Sequence, residues 1–360
     1  MSHRHDTATA TAAPAASEAP AGSAAAVEPA PPVESARPLR SARPPLPARS
    51  ALASLTGATA RPGDHAGPRP APLPSALRAW AEHVVGPLAS VRDASHPRRT
   101  SRVWEVTDGR DRRFYLKQSP TPAFYERETF GYHSAVPVLG YDRAPRLVDS
   151  DARHLALLLT AVPGTPLSRL SLGAAAHRAA HRQFGALLRL LHGTEKLSVA
   201  ARRAAVDSAV RTATDAEEHL VRAGDLLSES RRALVRHAAD QLRGLADRLV
   251  PGHVHGDAQE RNALWTGRRL AVIDFERSRY APAVQDFVRL ACGAWQDRDD
   301  LRTAFLQGYG RSLTGTERYA LPCLAALDAA SCLAYGPAHG EHDVTARGLR
   351  TLDRLERGVF

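Results

Sequence analysis

The sequence predicts an α+β protein in which a small β-sheet lobe is followed by a larger, mostly helical lobe. Residues 102–160 contain two pairs of strand-like runs, and residues 172–356 carry apolar side chains at helical spacing. A length of 360 residues allows two lobes and a tail. The contents of 43% hydrophobic and 24% charged residues are typical of a globular protein, so both lobes can bury a core.

The first 75 residues are expected to form a disordered tail. They consist mostly of Ala, Pro, Ser and Thr, and such a segment cannot bury enough apolar surface to offset its ordering entropy. No basic segment followed by an apolar core indicates a signal peptide, and no run approaches the ~20 apolar residues of a membrane span. Three sparse cysteines without metal or redox spacing fit a reducing cytoplasm. We therefore expect a cytoplasmic protein without a membrane partner.

The formal net charge of +10 is compatible with a nucleic acid, a membrane surface or an anionic ligand, including a nucleotide. The charge is spread as scattered Arg, however, and forms no Lys/Arg block with interleaved aromatic residues. No nucleic-acid-binding motif occurs either. We therefore predict no nucleic-acid partner, and nothing in the sequence indicates an oligomeric state.

The sheet lobe is predicted to begin near residue 76 with an amphipathic helix that Gly86-Pro87 ends. An Asp-Gly pair at Asp108-Gly109 separates the first two strand-like runs, which is typical of a hairpin turn. The last run of the lobe is continuously apolar, as in a buried strand. In order, the lobe contains a helix over 77–85, strands over 102–106 and 114–117, a helix over 123–134, and strands over 146–149 and 154–160.

The second lobe is predicted from helical spacing of its apolar residues, with Gly193 ending the first helix. His192, at the end of that helix, has no partner in the sequence pattern. Asp286 is expected to open a later helix, where an acid caps free N–H groups. The predicted helices of this lobe cover 172–193, 203–227, 234–249, a segment from 286, 301–309, 321–335 and 349–355.

A polar loop in the second lobe carries Asp257 and, five positions later, Asn262. After a turn at Thr266-Gly267, an apolar strand ends on Asp274, and a carboxylate at the end of a buried strand is costly unless it is paired. Three oxygen-bearing side chains suit a hard cation such as Mg²⁺. A carboxylate free of metal can take a proton from an attacking hydroxyl. A base, two metal ligands and a positioning loop are the parts that phosphoryl transfer requires.

His255-Gly256-Asp257 with Asn262 resembles the kinase catalytic loop, with Gly in place of Arg. Ile273-Asp274-Phe275-Glu276 resembles the metal-binding strand end, with Glu in place of Gly. Both variants are similar to the aminoglycoside phosphotransferase family of small-molecule kinases. The alternative is an ordinary β-hairpin with an Asx-type turn at Asp257. The resemblance implies a bilobal protein-kinase-like fold, with a nucleotide-binding lobe over 76–160 and a catalytic and acceptor-binding lobe over 161–360.

The resemblance also implies roles for single residues. Asp257 would be the catalytic base, Asn262 and Asp274 the Mg²⁺ ligands, and Lys117 the anchor of the α- and β-phosphates. Lys117 is one of only two lysines in the chain, the other being Lys196. Its partner would be Glu128, with Glu126 as the alternative. His255 would brace the loop, and Asp286 would also steady it.

The nucleotide contacts are less specific in sequence. Thr100 and Ser101 lie where kinases cover the phosphates, but these residues equally fit the start of a strand. Thr160 and Val162 flank the position of the inter-lobe hinge, where backbone groups would bind the adenine. The Pro-Gly pair at Pro163-Gly164 also fits a plain chain reversal.

The expected function is transfer of the γ-phosphate of ATP, or of another nucleoside triphosphate, to a hydroxyl of a small molecule. Aminoglycosides and other antibiotics are candidate acceptors by family analogy, which alone does not fix a substrate. The alternatives are a catalytically silent nucleotide-binding protein and a kinase of a non-antibiotic metabolite. The short interval between Asp274 and Asp286 leaves no room for the activation segment of a protein kinase. Acidic side chains that could attract a cationic acceptor are Asp215, Glu217, Glu218 and Asp225, and, beside Trp295, Asp297, Asp299 and Asp300. The first group fits a solvated helix face better, and the second fits a charged loop between helices at least as well.

Overall fold

The computed structural model of the protein describes residues 72–95, 101–193 and 197–360. The predicted tail therefore lies, up to residue 71, outside the described residues. Thr100 lies outside them as well. The expectations for these positions, and for the boundary between the lobes, stay predictions.

A five-stranded antiparallel sheet with the order β1-β2-β3-β5-β4 forms the first part of the described chain. The two predicted hairpins are confirmed as the pairs β2–β3 and β4–β5. Strand β1 was not predicted, because this edge strand is partly exposed along its length and lacks an alternating apolar pattern. The strands are β1 Leu88–Asp93, β2 Arg102–Asp108, β3 Arg113–Gln118, β4 Leu147–Asp151 and β5 Ala156–Thr160.

The sheet separates two apolar clusters because successive side chains of a strand point to opposite faces. On one face, Trp104, Leu116 and Leu158 pack against helix α1, Ser75–Val85, and are fully buried. The other face, which carries Leu157, joins the main core together with helix α2, Pro122–Ser134. Lys117 is one position from Leu116 and therefore points to this second face.

Helices α3 to α10 form most of the remaining chain, and the predicted helix over 203–227 is corrected to two helices that meet at Asp215. One straight helix could not serve both contacts, since α4 packs on β10 and α5 packs on α9. The helices are α3 Ala174–His192, α4 Val199–Thr214, α5 Ala216–Ala223, α6 Glu229–Leu245, α7 Val288–Ala291, α8 Asp299–Tyr309, α9 Gly315–Tyr335 and α10 His342–Glu356, and β10 is Arg279–Pro282.

Two small sheets hold the polar loop of the second lobe. Strand β7, Pro251–Val254, pairs with β10, so the chain enters the loop from a buried strand. Strand β8, Ala263–Trp265, pairs with β9, Leu270–Val272, and with the two-residue strand β6, Thr165–Pro166. The predicted hairpin with its turn at Thr266-Gly267 is confirmed, and Gly267 has the left-handed φ of 90° that such a turn favours.

One helix among the described residues corrects the expectation that no stretch is apolar and long enough for a membrane span. Residues Gly315–His339, which include α9, pass this test by length and composition, since an 18-residue window within them has a mean hydropathy of 1.2. However, 61% of that window is buried, and α9 packs against α5, α6 and α10. This is the environment of a core helix, so the stretch is weak evidence for a membrane span.

Candidate active site

Lys117 lies at the centre of a cluster of carboxylates between the sheet and the polar loop. Its Nζ is 3.0 Å from Glu128 Oε2 on α2, 2.6 Å from Asp274 Oδ1 and 3.1 Å from Glu276 Oε2. Both members of the Lys117–Glu128 pair are buried, whereas Glu126 is exposed. The structure thus brings together three residues that the sequence analysis had selected, and it adds Glu276.

The cluster has more negative than positive charge, since three carboxylates surround one ammonium. Burial, followed by the charges of Asp274 and Glu276, raises the pKa of Glu128 to about 7 despite its bond to Lys117. Burial alone would lower the pKa of Lys117, but the three carboxylates raise it well above its usual value. The surplus negative charge favours the binding of a cation beside Lys117.

The backbone at Asp274 is left-handed, with a φ of 71°, two positions after β9 ends. Asp tolerates this conformation better than most residues with a Cβ. The preceding residue donates from Ile273 N to the carbonyl oxygen of Asn262 at 3.0 Å. This bond holds the segment of Asp274 next to the polar loop.

Gly256 allows the polar loop to approach the segment that follows Asp274. Its φ is 80°, and a Cβ built at this position would lie 2.2 Å from the carbonyl oxygen of Arg277. A contact this short with backbone excludes any side chain unless the segment moves. The structure therefore explains why this loop has Gly where the kinase loop has Arg.

The Asp286 carboxylate holds the polar loop by accepting hydrogen bonds from two backbone N–H groups of the loop. The N–H groups of His255 and Gly256 each donate to one of its two carboxylate oxygens at 2.7 Å. His192 Nε2 lies 3.0 Å from Asp286 Oδ2, and its Nδ1 lies 2.7 Å from the Tyr309 hydroxyl. His192 thus has a buried partner that the sequence pattern did not reveal.

The expectation that Asp286 opens and caps a helix is wrong. Asp286 lies inside a short 3₁₀ turn, Ala283–Phe287, and the four-residue α7 that follows has no side-chain cap. The Asp286 carboxylate points to the polar loop instead, because two backbone N–H groups are buried there and need hydrogen-bond acceptors. Burial would raise the pKa of Asp286, but the bond and charge of His192 and the backbone N–H of His255 hold it below its usual value.

His255 links the loop to the segment of Asp274 in the bracing position that we expected. Its Nε2 lies 3.0 Å from the carbonyl oxygen of Ile273, an acceptor, so this nitrogen carries the ring hydrogen. Its Nδ1 accepts from the N–H of Asp257 at 3.3 Å. The ring thereby fixes the spacing between Asp257 and Asp274.

Asp257 is buried, with 3% of its surface exposed, and both oxygens are hydrogen-bonded. Oδ2 accepts from Arg261 at 2.7 Å and from the Asn262 amide at 3.0 Å. Oδ1 lies 2.8 Å from Arg289 Nη1 and accepts from the Gln259 amide at 2.5 Å. Sequence reasoning missed both arginines, because a single Arg gives no signal in a chain with 48 Lys and Arg residues.

These contacts determine the charge of Asp257. Burial alone would raise the pKa of its carboxyl, but the guanidinium groups of Arg289, Arg261 and Arg277 hold the pKa well below its usual range. The carboxylate is therefore ionised at neutral pH. The carboxylate is also a weak base. It can therefore orient an acceptor hydroxyl more effectively than it can remove the hydroxyl proton before the new bond to phosphorus begins to form.

Asn262 and Asp274 offer oxygen atoms suited to a hard cation. The Asn262 amide nitrogen donates to the backbone carbonyl of Asp257 at 2.9 Å, which turns its carbonyl oxygen away. No hydrogen bond to that oxygen occurs in the part of the chain that the structure describes. The Asp274 side chain is 31% exposed. An amide oxygen and carboxylates with surplus negative charge match the ligands that Mg²⁺ prefers.

Three of the remaining predicted nucleotide contacts, Ser101, Thr160 and Val162, lie within the described residues. The Ser101 hydroxyl donates to Glu276 Oε2 at 2.9 Å, which places Ser101 next to the cluster. The N–H of Thr160 already donates to the carbonyl oxygen of Arg146 at 2.9 Å. Within the described ranges, the backbone of Val162 makes no hydrogen bond. The backbone groups of Val162 are thus available for a ligand.

A cavity of about 580 Å³ lies beside the polar loop and between α2, α4, α5 and α9. Gly256 and Ala258, the two neighbours of Asp257, line it together with Arg289. Of the acidic residues considered for an acceptor site, Asp215 lines this cavity. The other residues considered for an acceptor site do not line it; these are Glu217, Glu218, Asp225, Trp295, Asp297, Asp299 and Asp300.

A second cluster, formed by His177, His181 and Glu260, has the side chains of a metal site. Glu260 Oε1 lies 2.6 Å from His177 Nε2 and 3.1 Å from His181 Nε2. Trp295 Nε1, which can only donate, bonds to His181 Nδ1 at 3.3 Å, so the ring hydrogen of His181 is on Nε2. That nitrogen then donates to Glu260 and has no lone pair for a metal. The cluster anchors the polar loop to α3.

Solved structures with the same fold are similar to this chain at low sequence identity. The GDP and kanamycin complex of APH(2″)-IIia is 17% identical, with a TM-score of 0.56, and the match covers 76% of this chain and 95% of that chain. A ternary complex of a thermostable mutant of aminoglycoside phosphotransferase APH(4)-Ia with ADP and hygromycin B is 15% identical, with a TM-score of 0.57 and coverage of 79% and 98%. A Thermobifida fusca protein provisionally assigned as a fructosamine-3-kinase is 19% identical, with a TM-score of 0.50 and coverage of 76% and 98%. The bilobal kinase-like α+β fold is thereby confirmed.

The sequence itself identifies the family. No curated protein matches the chain in sequence. The profile of the phosphotransferase enzyme family, however, matches residues 96–322, which is more than half of the 360 residues. The match includes Lys117, the polar loop and Asp274, and the similar structures include aminoglycoside phosphotransferases. This chain belongs to the phosphotransferase enzyme family.

Proposed function

We propose that the protein transfers the γ-phosphate of ATP, or of another nucleoside triphosphate, to a hydroxyl of a small molecule. The observation that carries this proposal is the buried Lys117–Glu128 pair at 3.0 Å, facing Asp274 and the loop of Asp257 and Asn262. Family membership supports transfer of a phosphoryl group. Two of the similar structures contain GDP and ADP, which supports a nucleotide donor.

Lys117 would bind the phosphates of the nucleotide. Its ammonium lies 2.6 Å from Asp274 and 3.1 Å from Glu276, and the phosphate oxygens would take over part of these contacts. Glu128 keeps Lys117 in position from α2 because the pair is buried. The adenine would lie at the hinge, where the backbone of Val162 is available, and Ser101 and Thr100 would cover the phosphates.

Asn262 and Asp274 would hold Mg²⁺ through their oxygen atoms, and Mg²⁺ would supply neutralisation of the charge that develops on the phosphates. Asp257 accepts a hydrogen bond from the acceptor hydroxyl and orients it for attack on the γ-phosphorus. Since its pKa is held low, the proton moves to it late in the reaction. Catalysis then consists mainly of positioning and charge stabilisation.

The acceptor would enter through the cavity of about 580 Å³, which reaches both neighbours of Asp257. Kanamycin and hygromycin B are the acceptor-like molecules in two of the similar structures. For this chain, aminoglycosides, other antibiotics and non-antibiotic metabolites with hydroxyl groups are all candidates. Antibiotic resistance would follow only from the first two classes.

The first experiment measures ADP formation with ATP and Mg²⁺ across a panel of aminoglycosides, other hydroxylated antibiotics and hydroxylated metabolites. Asp257→Ala tests the site, and Asp240→Ala is the matched control, since the Asp240 side chain is 73% exposed on α6. Acceptor-dependent turnover that Asp257→Ala loses and Asp240→Ala keeps supports the proposal. Mg²⁺-dependent ATP binding without turnover on any acceptor favours a silent nucleotide-binding protein. Absence of ATP binding contradicts the proposal.

A further inference from the structure

Four arginine side chains that line the cavity have no carboxylate at ion-pairing distance among the described residues. Arg127 comes from α2, Arg211 from α4, and Arg277 and Arg279 from the segment after Asp274. Their polar contacts are few: Arg279 donates to Ser208 Oγ at 3.2 Å and to the carbonyl oxygen of Arg277 at 2.9 Å. Among the residues that the structure describes, none of the four forms an ion pair.

These guanidinium groups are close enough to repel one another. Burial lowers the pKa of Arg279 to about 10. The charge of Asp286 opposes this shift, and the charges of Arg127, Arg277 and Arg211 add to it. Burial and the charge of Arg277 likewise lower the pKa of Arg127, against the charge of Glu276. Like charges that are drawn together with too few counter-charges cost free energy, and a bound anion would reduce that cost.

The acidic residues of the cavity do not balance these charges. Asp328 lies 3.5 Å from Arg289 and 3.6 Å from Arg347, so its charge is already shared. Asp215 is exposed. Two acids thus face five arginines, one of which, Arg289, is paired with Asp257 at 2.8 Å. The cavity is positive next to the position of the acceptor hydroxyl.

We propose, building on the phosphotransferase function, that the acceptor is an anion: a hydroxylated small molecule with a carboxylate, phosphate or sulfate group. Its anionic group binds among Arg127, Arg211, Arg277 and Arg279. The hydroxyl of Ser331, which also lines the cavity, is available to the neutral part of the molecule. A polycationic aminoglycoside is repelled from this cavity.

The transfer is balanced in atoms and charge. The acceptor oxygen forms a bond to the γ-phosphorus, and the bond from that phosphorus to the β–γ bridging oxygen breaks. ADP leaves with the bonding electron pair, and the hydroxyl proton passes to Asp257 and then to solvent. The product carries both the original anionic group and the new phosphate, so a reaction that uses this product must bind two anionic groups.

The test measures sulfate binding to the full-length protein, with Mg²⁺ and a non-hydrolysable ATP analogue bound so that the nucleotide site is filled. Thermal shift is followed at constant ionic strength, with chloride replaced by sulfate. We expect sulfate to stabilise the protein in a saturable way. The affinity for sulfate should fall roughly fivefold in Arg211→Gln and in Arg277→Gln. Arg203→Gln is the matched control, because Arg203 lies on the same helix as Arg211, is 79% exposed and pairs with Asp207.

A second arm compares gluconate, glucose and glucosamine, which share a hydroxylated skeleton and differ in charge. We expect gluconate to bind at least about tenfold more tightly than glucosamine. Equal or stronger binding of glucosamine, or sulfate stabilisation that is not saturable or is the same in all variants, overturns the anionic acceptor. Failure of the ATP analogue to bind overturns the phosphotransferase function instead. Sulfate binding is then measured with the nucleotide-free protein.

Discussion

Replacing Asp286 by asparagine tests how strongly one buried carboxylate holds the polar loop. Its two oxygens accept the N–H groups of His255 and Gly256 at 2.7 Å each, and His192 Nε2 lies 3.0 Å away. Asparagine has one acceptor oxygen, and its NH₂ group occupies the place of the other. In either orientation of the amide, one of the two backbone N–H groups therefore faces a donor.

The expected loss follows from these contacts. A hydrogen bond to a charged group contributes roughly 1.5–3 kcal/mol, and a buried donor without a partner costs about 1–3 kcal/mol. His192 can adapt by exchanging its ring hydrogen, since the Tyr309 hydroxyl at 2.7 Å can donate or accept. We expect Asp286→Asn to lower the free energy of unfolding by about 3 kcal/mol. This is a large part of the ~5–15 kcal/mol that stabilises a typical domain.

The assay is urea unfolding followed by circular dichroism. Asp240→Asn serves as the control for the loss of a carboxylate at the surface. Tyr309→Phe removes the hydroxyl that bonds to His192 and interacts with Arg311, and leaves Asp286 in place; its expected cost is about 1 kcal/mol. A loss below about 1 kcal/mol for Asp286→Asn, or one equal to that of Asp240→Asn, would refute the view that this carboxylate holds the loop.

Three further predictions concern the same region. Gly256→Ala places a Cβ 2.2 Å from the Arg277 carbonyl oxygen at a φ of 80°, so we expect about 3 kcal/mol of destabilisation by urea unfolding, and an unchanged midpoint contradicts this. Burial lowers the pKa of His253 to about 4. The unfolded chain therefore binds more protons between pH 4 and 6.5, and stability rises with pH across that window. His253→Gln should remove about 3 kcal/mol of this pH dependence, and identical pH profiles contradict the assignment. Lys117→Met should weaken ATP binding roughly 10–100-fold by calorimetry, and Lys117→Arg less; equal affinity would exclude Lys117 from the phosphate site.

The sequence predicted those parts of the site that depend on short spacing. Asp257 and Asn262 are five positions apart, and a strand followed by Asp274 is recognisable from its apolar run. The choice of Glu128 over Glu126 came from the family pattern, and the structure places Glu128 at Lys117. Helices with strong periodicity and Gly ends, such as α3, were also predictable.

The parts that the sequence did not predict depend on contacts between distant residues. Arg289 reaches Asp257 across 32 positions, and His192 reaches Asp286 across 94. Contacts over such separations in the sequence follow no periodic pattern and no motif, so they cannot be predicted from it. The role of Glu276 was hidden for another reason: the motif marks it as a departure from Gly but does not say that its carboxylate turns to Lys117. Likewise, the negative charge of residues 215–225 suggested an acidic acceptor site, whereas the cavity is dominated by arginines from three other segments.

The bond from Trp295 to His181 has a consequence for spectroscopy. Trp295 is 5% exposed, its indole N–H bonds to His181, and His181 bonds to Glu260 of the polar loop. Any displacement of the loop changes the surroundings of this indole ring, so its fluorescence reports on the loop. The chain has four tryptophans. A variant that keeps Trp295 alone would let nucleotide and acceptor binding be followed in real time, without an attached dye.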